Sequence, residues 1–501
     1  MTRNDFKIMF VHVNDRMRTV IPPNIAYLSA CLKKAGFSTC LFDTSFYSEQ
    51  PRIVEEKKKE EAGFFKPVDY STIGVKLKHG SIKQDFLERV EQEKPNLIAF
   101  TIFSSTKNAG YDLAKTVKET FAHIPTIFGG IHVNIDPEEV LNKRFVDYIC
   151  LGEGEQAIVE FAENLHRGKD VSAVRNIGLK KNGRQIINPV RAPQNLDDLP
   201  FMDWDLFDSY QIYGPYRGNL LRMALVEFSR TCPYRCTYCG NRVFHKYYSQ
   251  SGFELRYRTK SPRRWIEELK HIRNTYDPEI ISIIDGTFVA QKEESLTEIC
   301  ELYKKEINLP FFCDSTVHCL TERKAVLLKE MGCVCVNMGI ESANEEYRKK
   351  YMDRTMTNRK IKSTFLMARE VGLDTRAYCI IGLPFETEEN IVETIAFLRE
   401  CNVGSVSLNI FMPYPGTKLR EVCIKEKLFD PNTQEHLLAE NDGTRPIIKN
   451  PYLSEEELMK LYNSFILYVM APREVYPVIR LAEHDTPFAR RLRQELMSIY
   501  T

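Results

Sequence analysis

The residues with the most evident chemistry lie near the middle of the chain. Thr231-Cys232-Pro-Tyr-Arg-Cys236-Thr-Tyr238-Cys239-Gly240-Asn241 spaces three cysteines as Cys-x3-Cys-x2-Cys. A loop this short brings three thiolates to one point. Four thiolates saturate a [4Fe–4S] cluster, as in an electron carrier, whereas three leave one iron open. A catalytic metal site keeps a free position for the same reason. Zinc is the alternative reading, but zinc sites more often pair two short Cys/His hairpins, and no second hairpin is evident. No fourth cysteine lies near in sequence.

The elements that must position this loop are short apolar runs alternating with helical patterns. Strands are predicted at 225–228, 280–284, 311–314, 333–338, 375–381 and 406–411, with helices at 262–275, 292–306, 322–331 and 388–401. Six such units are two short of a closed eight-fold barrel, so the expectation is an open, partial (β/α)6 barrel. The strand ends carry Asp285-Gly-Thr-Phe288, Gly339-Ile-Glu341-Ser342, Met352-Asp353-Arg354, Gly382-Leu-Pro384-Phe-Glu386-Thr387, Asn409 and Pro413-Tyr-Pro415-Gly416-Thr417. Together with the cysteine triplet, in this order over 225–419, these resemble the radical S-adenosylmethionine enzymes. The third strand end has no match. Gly286 stands where that family has a second acid, Arg354 where it usually has Lys, and Phe385 where it has Gly.

The resemblance implies a [4Fe–4S] cluster on Cys232, Cys236 and Cys239, whose open iron chelates S-adenosylmethionine. One electron from an external reductant then yields a 5′-deoxyadenosyl radical that takes hydrogen from an unactivated carbon. It also implies cofactor contacts from Tyr238 near the adenine, from Glu341 and Ser342 at the ribose, and from Asp285, Gly339, Arg354, Pro384 and Asn409. No catalytic side chain is assigned.

The first part of the chain reads as a Rossmann-like α/β unit. Strands are predicted at 7–12, 39–42, 97–102, 126–128 and 148–151, and helices at 24–35, 108–121 and 153–165. Pro22-Pro23-Asn24-Ile-Ala-Tyr-Leu, Thr101-Ile-Phe-Ser104-Ser105-Thr106, Phe128-Gly129-Gly130-Ile-His132 and Gly152-Glu153-Gly154-Glu155 resemble the cobalamin-binding domain that precedes the barrel in one class of these enzymes. The resemblance implies corrinoid contacts from Ser104, Ser105, Thr106, Gly129, Gly130, Gly152 and Glu153. The Asp-x-His-x-x-Gly motif that ligates cobalt from below is absent; Val11-His12-Val13 and Asn14-Asp15-Arg16 do not supply it. His132 is the best single histidine, but is read first as a strand-end hydrogen-bonding residue. No Gly-x-Gly-x-x-Gly follows the first strand, which argues against a dinucleotide.

The organisation expected is a cobalamin-binding domain over 1–187, a connection over 188–216 rich in Pro, Asp and aromatics that packs against something, the partial barrel over 217–429 and a helical region over 430–501. Within the last, Ser454 and Glu457 form a capping box. The run Glu-Glu-Lys-Lys-Lys-Glu-Glu at 55–61 and the arginines at 490–493 read as solvated faces. Cys313, Cys319, Cys333 and Cys335 read as core residues rather than an auxiliary cluster. Lys and Arg number 69 against 68 Asp and Glu, which suggests no nucleic-acid partner. No apolar stretch suits a bilayer, mean hydropathy is −0.34 and the first residues lack a signal-peptide core, so a cytoplasmic protein is expected.

The function expected is methylation of an unactivated carbon, or less often phosphorus, in a small-molecule substrate, using cobalamin. Radical cyclisation, oxygenation or rearrangement with the same cofactors is the second reading. A non-catalytic iron–sulfur or corrinoid carrier or sensor is the third. A methylthiotransferase acting on tRNA needs three further cluster cysteines and a basic tail, and neither is evident.

Overall fold

The computed structural model describes residues 2–14, 19, 21–49, 53–64, 66–441 and 443–501. Two seven-stranded sheets dominate it. The first contains β1 (Lys7–His12), β2 (Ser38–Asp43), β3 (Leu97–Thr101), β4 (Thr126–Gly129), β5 (Tyr148–Cys150), β6 (Ile177–Lys181) and β7 (Arg184–Ile187), in the order β2-β1-β3-β4-β5-β6-β7. The first five strands are parallel. β1 and β3 are almost wholly buried, which is why they read as unbroken apolar runs. The helices Pro23–Lys34, Lys107–Thr120 and Glu155–His166 return the chain between strands, within two residues of the predicted spans. Because β1 has β2 on one side and β3 on the other, the strand order reverses there, and such a switch point opens a crevice at the C-terminal sheet edge.

The sequence reading missed the antiparallel pair β6–β7. Its two-residue turn, Asn182-Gly183, has φ of 53° and 73°, the left-handed pair that a tight hairpin demands.

The second sheet contains β8 (Tyr213–Tyr216), β9 (Asn219–Val226), β12 (Ile280–Ile283), β13 (Phe311–Ser315), β14 (Cys333–Glu341), β15 (Asp374–Ile381) and β16 (Ser405–Ile410). A small ladder of β10 (Ser229–Arg230) and β11 (Arg258–Thr259) lies between β9 and β12 in sequence. The order β16-β15-β14-β13-β12-β9-β8 puts six parallel strands in sequence order. β8 and β16 stand at opposite edges, so the barrel stays open, as expected.

β8 corrects the reading of 188–216 as connection alone. The chain turns at Arg217-Gly218 (φ 49° and 80°) and pairs β8 antiparallel with β9. Upstream, Leu196, Met202, Trp204 and Phe207 are buried in a core that runs continuously from the first sheet to the second.

Ser454 caps the helix Glu455–Met470 with Glu457 completing the box. One expectation fails near the C-terminus. Arg493 is buried, not solvated: its Nη1 donates to the Ala482 carbonyl (2.8 Å) and its Nε to the Glu61 carbonyl (3.1 Å). It ties the last helix to the insertion around Ile53–Glu61, and the nearby Gly63 packs directly against the Met497 thioether.

Candidate cofactor site between the two sheets

The cysteine loop leaves the C-terminal end of β9 and is held from both sides. Asp285, just past β12, accepts the Phe228 and Ser229 amides (both 2.9 Å) and the Ser229 hydroxyl (2.6 Å). Burial pushes its carboxyl up to about 7, against the pull of these bonds. Asp285 was expected to touch cofactor; its carboxylate is instead committed to the backbone that launches the loop. Downstream, the Thr237 amide donates to the Met352 carbonyl (3.2 Å) and the Thr237 carbonyl accepts the Leu419 amide (3.0 Å).

All three thiols are partly exposed. Burial lifts Cys232 to about 11, with Cys236 and Cys239 adding to the rise, and burial also lifts Cys239. Such thiols ionise readily only against a positive centre. Among the described residues no three His, Cys, Asp or Glu side chains are grouped closely enough to hold one metal ion. A cluster instead takes each thiolate on a different iron.

Around this loop the second sheet supplies a buried polar patch. Arg354 donates to the Gly339 carbonyl (2.5 Å) and the Tyr238 hydroxyl (3.2 Å), lies 3.7 Å from Glu341 and reaches the Cys236 sulfur at 3.8 Å. Tyr238 donates to Glu341 at 3.1 Å. Burial raises the Glu341 carboxyl above its ordinary range, opposed by Arg354 and the Tyr238 hydrogen bond. A β-carbon on Gly339 would overlap the Glu341 carboxylate where it now stands, so any side chain there would displace that acid. Sequence left the role of Arg354 open; its guanidinium joins a cysteine, the tyrosine and the acid. Ser342 is buried and turns its hydroxyl to the Asn344 amide (3.4 Å). The Pro384 carbonyl accepts the Tyr347 hydroxyl (2.6 Å), and Asn409 is exposed at the end of β16. Arg348, which sequence reasoning passed over, is fully buried and braces this end through the Ser342 and Met356 carbonyls.

A cavity of about 430 Å³ separates the sheets. Gly129, Gly130, Gly152 and Glu153 line it from the first sheet, and Thr231 and Asn241, which flank the cysteine triplet, line it from the second. Gly129, Gly130 and Gly152 thus share one cavity with residues on either side of the cysteine triplet, while Cys232, Cys236 and Cys239 are not among its lining residues. Its apolar wall went unseen in sequence. Phe103, Ile131 and Ile284 are 45%, 44% and 42% exposed, and all three line the cavity. Large apolar side chains left open at one concave site mark a ligand surface. Nothing lies within 4 Å of where a Gly129 β-carbon would stand, whereas one on Gly130 would meet the Ile102 carbonyl at 2.7 Å. A glycine-floored, apolar-walled crevice at a switch point suits a flat macrocycle such as a corrin.

The Ser104-Ser105-Thr106 segment does not line this cavity. Ser104 hydrogen-bonds His132 Nδ1 (2.9 Å), and Thr106 accepts the Phe103 amide (3.0 Å). His132 Nε2 faces Glu139 at 3.3 Å, so both ring nitrogens are engaged by side chains and the residue is 1% exposed. That fits the hydrogen-bonding reading of His132. Of Asn14-Asp15-Arg16, only Asn14 falls among the described residues. Glu153 accepts the Gln194 amide (3.1 Å) and pairs with Arg258 and Arg230, and Arg230 also binds Glu155 (2.7 Å) and Glu227 (2.9 Å). Phe244 and Tyr248, from the aromatic run after the cysteines, line the same cavity.

Comparison with known proteins now joins the geometry. Residues 226–398 match the model of the radical SAM superfamily, and residues 13–162 match that of the B12 binding domain. The chain is a radical SAM protein with a B12-binding domain. Its cofactors are those of the two families: a [4Fe–4S] cluster, S-adenosylmethionine and cobalamin. This radical SAM protein is 26% identical over 420 residues to "Uncharacterized methyltransferase PH0819" of Pyrococcus horikoshii, covering 83% of the chain and 87% of that protein. It is 24% identical over 413 residues to the anaerobic magnesium-protoporphyrin IX monomethyl ester cyclase of Rubrivivax gelatinosus, covering 79% and 70%. Its fold matches that of OxsB, a cobalamin-dependent S-adenosylmethionine radical enzyme solved with aqua-cobalamin and S-adenosylmethionine bound. The TM-score is 0.66 at 14% identity, covering 98% of this chain and 70% of that one. No described helix is long and apolar enough to cross a membrane.

Proposed function

We propose that this radical SAM protein methylates an unactivated carbon or phosphorus of a small molecule. The observation that carries the reading is the shared cavity: one wall is the glycine-rich edge of the B12-binding domain and the other carries Thr231 and Asn241, which flank the cysteine triplet. When bound, the cluster supplies the electron that cleaves S-adenosylmethionine and the corrinoid supplies a carrier for the methyl group.

The chain's own residues would do the following. Cys232, Cys236 and Cys239 would hold the cluster by three irons. Glu341 and Tyr238, tied to each other and to Arg354, would orient S-adenosylmethionine through the hydroxyls and ring at its nucleoside end. Arg354 places a fixed positive charge beside Cys236, which tempers the negative charge of a thiolate-ligated cluster. Gly129, Gly130 and Gly152 would admit the corrin close to backbone, against Phe103, Ile131 and Ile284. Arg230 and Arg258 hold Glu153 and Glu155 from across the cavity, so the walls keep a fixed spacing. A transfer between two bound groups needs that spacing held to near contact. Apolar walls on this side of the cavity also limit the water that can reach a reactive species. A separate one-electron donor would reduce the cluster.

The relative named as a cyclase favours a second reading, radical cyclisation without net methyl transfer. Product counting separates the two. The anaerobically reconstituted protein, given reductant, S-adenosylmethionine and its substrate, should form S-adenosylhomocysteine alongside 5′-deoxyadenosine. Formation of 5′-deoxyadenosine alone would favour the second reading. Replacement of all three cysteines by Ala should abolish both products and the cluster signal together, and a retained cluster signal would refute the ligand assignment.

A further inference from the structure

The third strand of the barrel ends without any resemblance to the family, and it carries an acid. Asp314 on β13, Asn337 on β14 and Arg376 on β15 are direct neighbours in register, so they share one face of the sheet. Gly339 and Tyr378 form the next row on that face, toward the cysteine loop. Gly339 is the residue roofed by Arg354 and Glu341. The Asp314 row therefore lies directly beneath the site that reaches Cys236. Below it, Tyr216 of the β8–β9 hairpin stacks on Phe312 (ring centroids 5.7 Å, interplanar angle 10°). The row lies between an aromatic floor and a polar roof.

Its charges are incompletely paired. Asp314 Oδ1 accepts from Asn337 (2.8 Å) and from the Tyr378 hydroxyl (3.2 Å). Arg376 spends Nε on the Ser405 hydroxyl at 3.2 Å. Among the described residues, Asp314 Oδ2 and both Nη groups of Arg376 have no hydrogen-bond or ion-pair partner. Arg376 acts on Asp314 electrostatically, yet the two are not within ion-pair distance. Asn337 and Tyr378 hold the acid in place beside them. An acceptor and a donor fork, side by side and unjoined, complement a group that presents the opposite pair.

We infer that Asp314 and Arg376 anchor the substrate, and that the substrate is a small zwitterion of amino-acid type, its ammonium on Asp314 and its carboxylate on Arg376. This rests on the reading of the cysteine loop as the radical-generating site. A zwitterion clamped at this level directs its remaining carbon skeleton upward, toward that site. Asp314 and Arg376 would be specificity-determining residues.

The test is anaerobic equilibrium dialysis of the reconstituted holoprotein with S-adenosylmethionine. The probe is an equimolar mixture of the proteinogenic α-amino acids, β-alanine, γ-aminobutyrate, and the matching amines and carboxylic acids that lack one charge. Mass spectrometry reads what is retained. At least one zwitterion should be retained about tenfold or more above both its amine and its acid. Asp314→Asn should lower that zwitterion to the level of its acid, and Arg376→Gln to the level of its amine. Asp314→Glu and Arg376→Lys keep the charges and should keep the order of preference, which guards against a variant that misfolds. No zwitterion retained above its single-charge counterparts, or a preference unchanged in the Asn and Gln variants, overturns the inference. Turnover is read separately. If S-adenosylmethionine is not cleaved but zwitterions are selected, the proposed function falls and the binding site stands. If it is cleaved and no zwitterion is selected, only the binding site falls.

Discussion

Thr231, Glu341, Asp353 and Phe385 all have φ between 55° and 74°, a region that L-residues with side chains seldom adopt. All four surround the cysteine loop or the strand ends facing it. Strain of this kind gathers at functional sites, because neighbouring contacts must hold it in place. Phe385 makes the point testable, because it stands where the resembled family has glycine. Replacing it with Ala or Gly removes the same ring from Tyr351, but only Gly frees the backbone. Phe385→Gly should therefore be more stable than Phe385→Ala by about 1 kcal/mol, the reverse of the usual order, as chemical denaturation would show. Equal stabilities would mean the backbone there is unstrained. Glu386, next in the chain, is buried, and burial lifts its carboxyl to about 8 against the backbone amides of Leu383 and Gly382. A folded-state value above the unfolded one means that the protonated form is favoured by folding. Its stabilising contribution is full below the unfolded value near 4.5 and is lost as pH rises through about 8. The melting temperature should fall between pH 5 and pH 8, and Glu386→Gln should flatten that slope.

At the scale of elements, the strands and helices of both sheets were largely legible, because parallel strands buried on both faces read as short apolar runs ended by turn residues. What was lost were the antiparallel additions. The Asn182-Gly183 and Arg217-Gly218 hairpins are signalled only by their turns, in segments too polar or too irregular to read as strands. The cysteine loop could be picked out from its spacing, and Glu341 from the resemblance of its strand end to a known family. Phe103, Ile131 and Ile284 could not, since nothing in a sequence says that an apolar residue beside a strand end will face a cavity. The contact that joins the two sheets was also illegible. Lys260 Nζ, beside β11, donates to the Tyr27 hydroxyl (2.7 Å) and pairs with Glu268, while Tyr27 donates to Glu268 at 2.9 Å. Lys260 and Glu268 are 0% and 1% exposed, 8 residues apart, and Tyr27 comes from the first α/β unit. Removing one charge leaves the other buried and unpaired, which costs about 3–5 kcal/mol. Lys260→Met should lose that much in denaturation, and adding Glu268→Gln should recover part of it. A Lys260→Met loss under 1 kcal/mol would mean that the pair does not hold the sheets together.

At the scale of the whole molecule, two α/β units face each other across one shared cavity. A continuous core, the Lys260–Glu268–Tyr27 contact and the Arg230–Arg258 clamp all act across the boundary between them. The central claim of the proposed function is that this arrangement would make the corrinoid and the cluster neighbours. The direct measurement is electron paramagnetic resonance of the anaerobic protein carrying cob(II)alamin, with the cluster oxidised and then reduced to its paramagnetic state. Two unpaired spins on facing walls of one cavity should couple, so reduction should broaden and speed the relaxation of the cob(II)alamin signal. The effect should vanish when Cys232, Cys236 and Cys239 are replaced by Ala. A cob(II)alamin signal that is unchanged on reducing an intact cluster would contradict the account, since the two groups would then occupy separate sites.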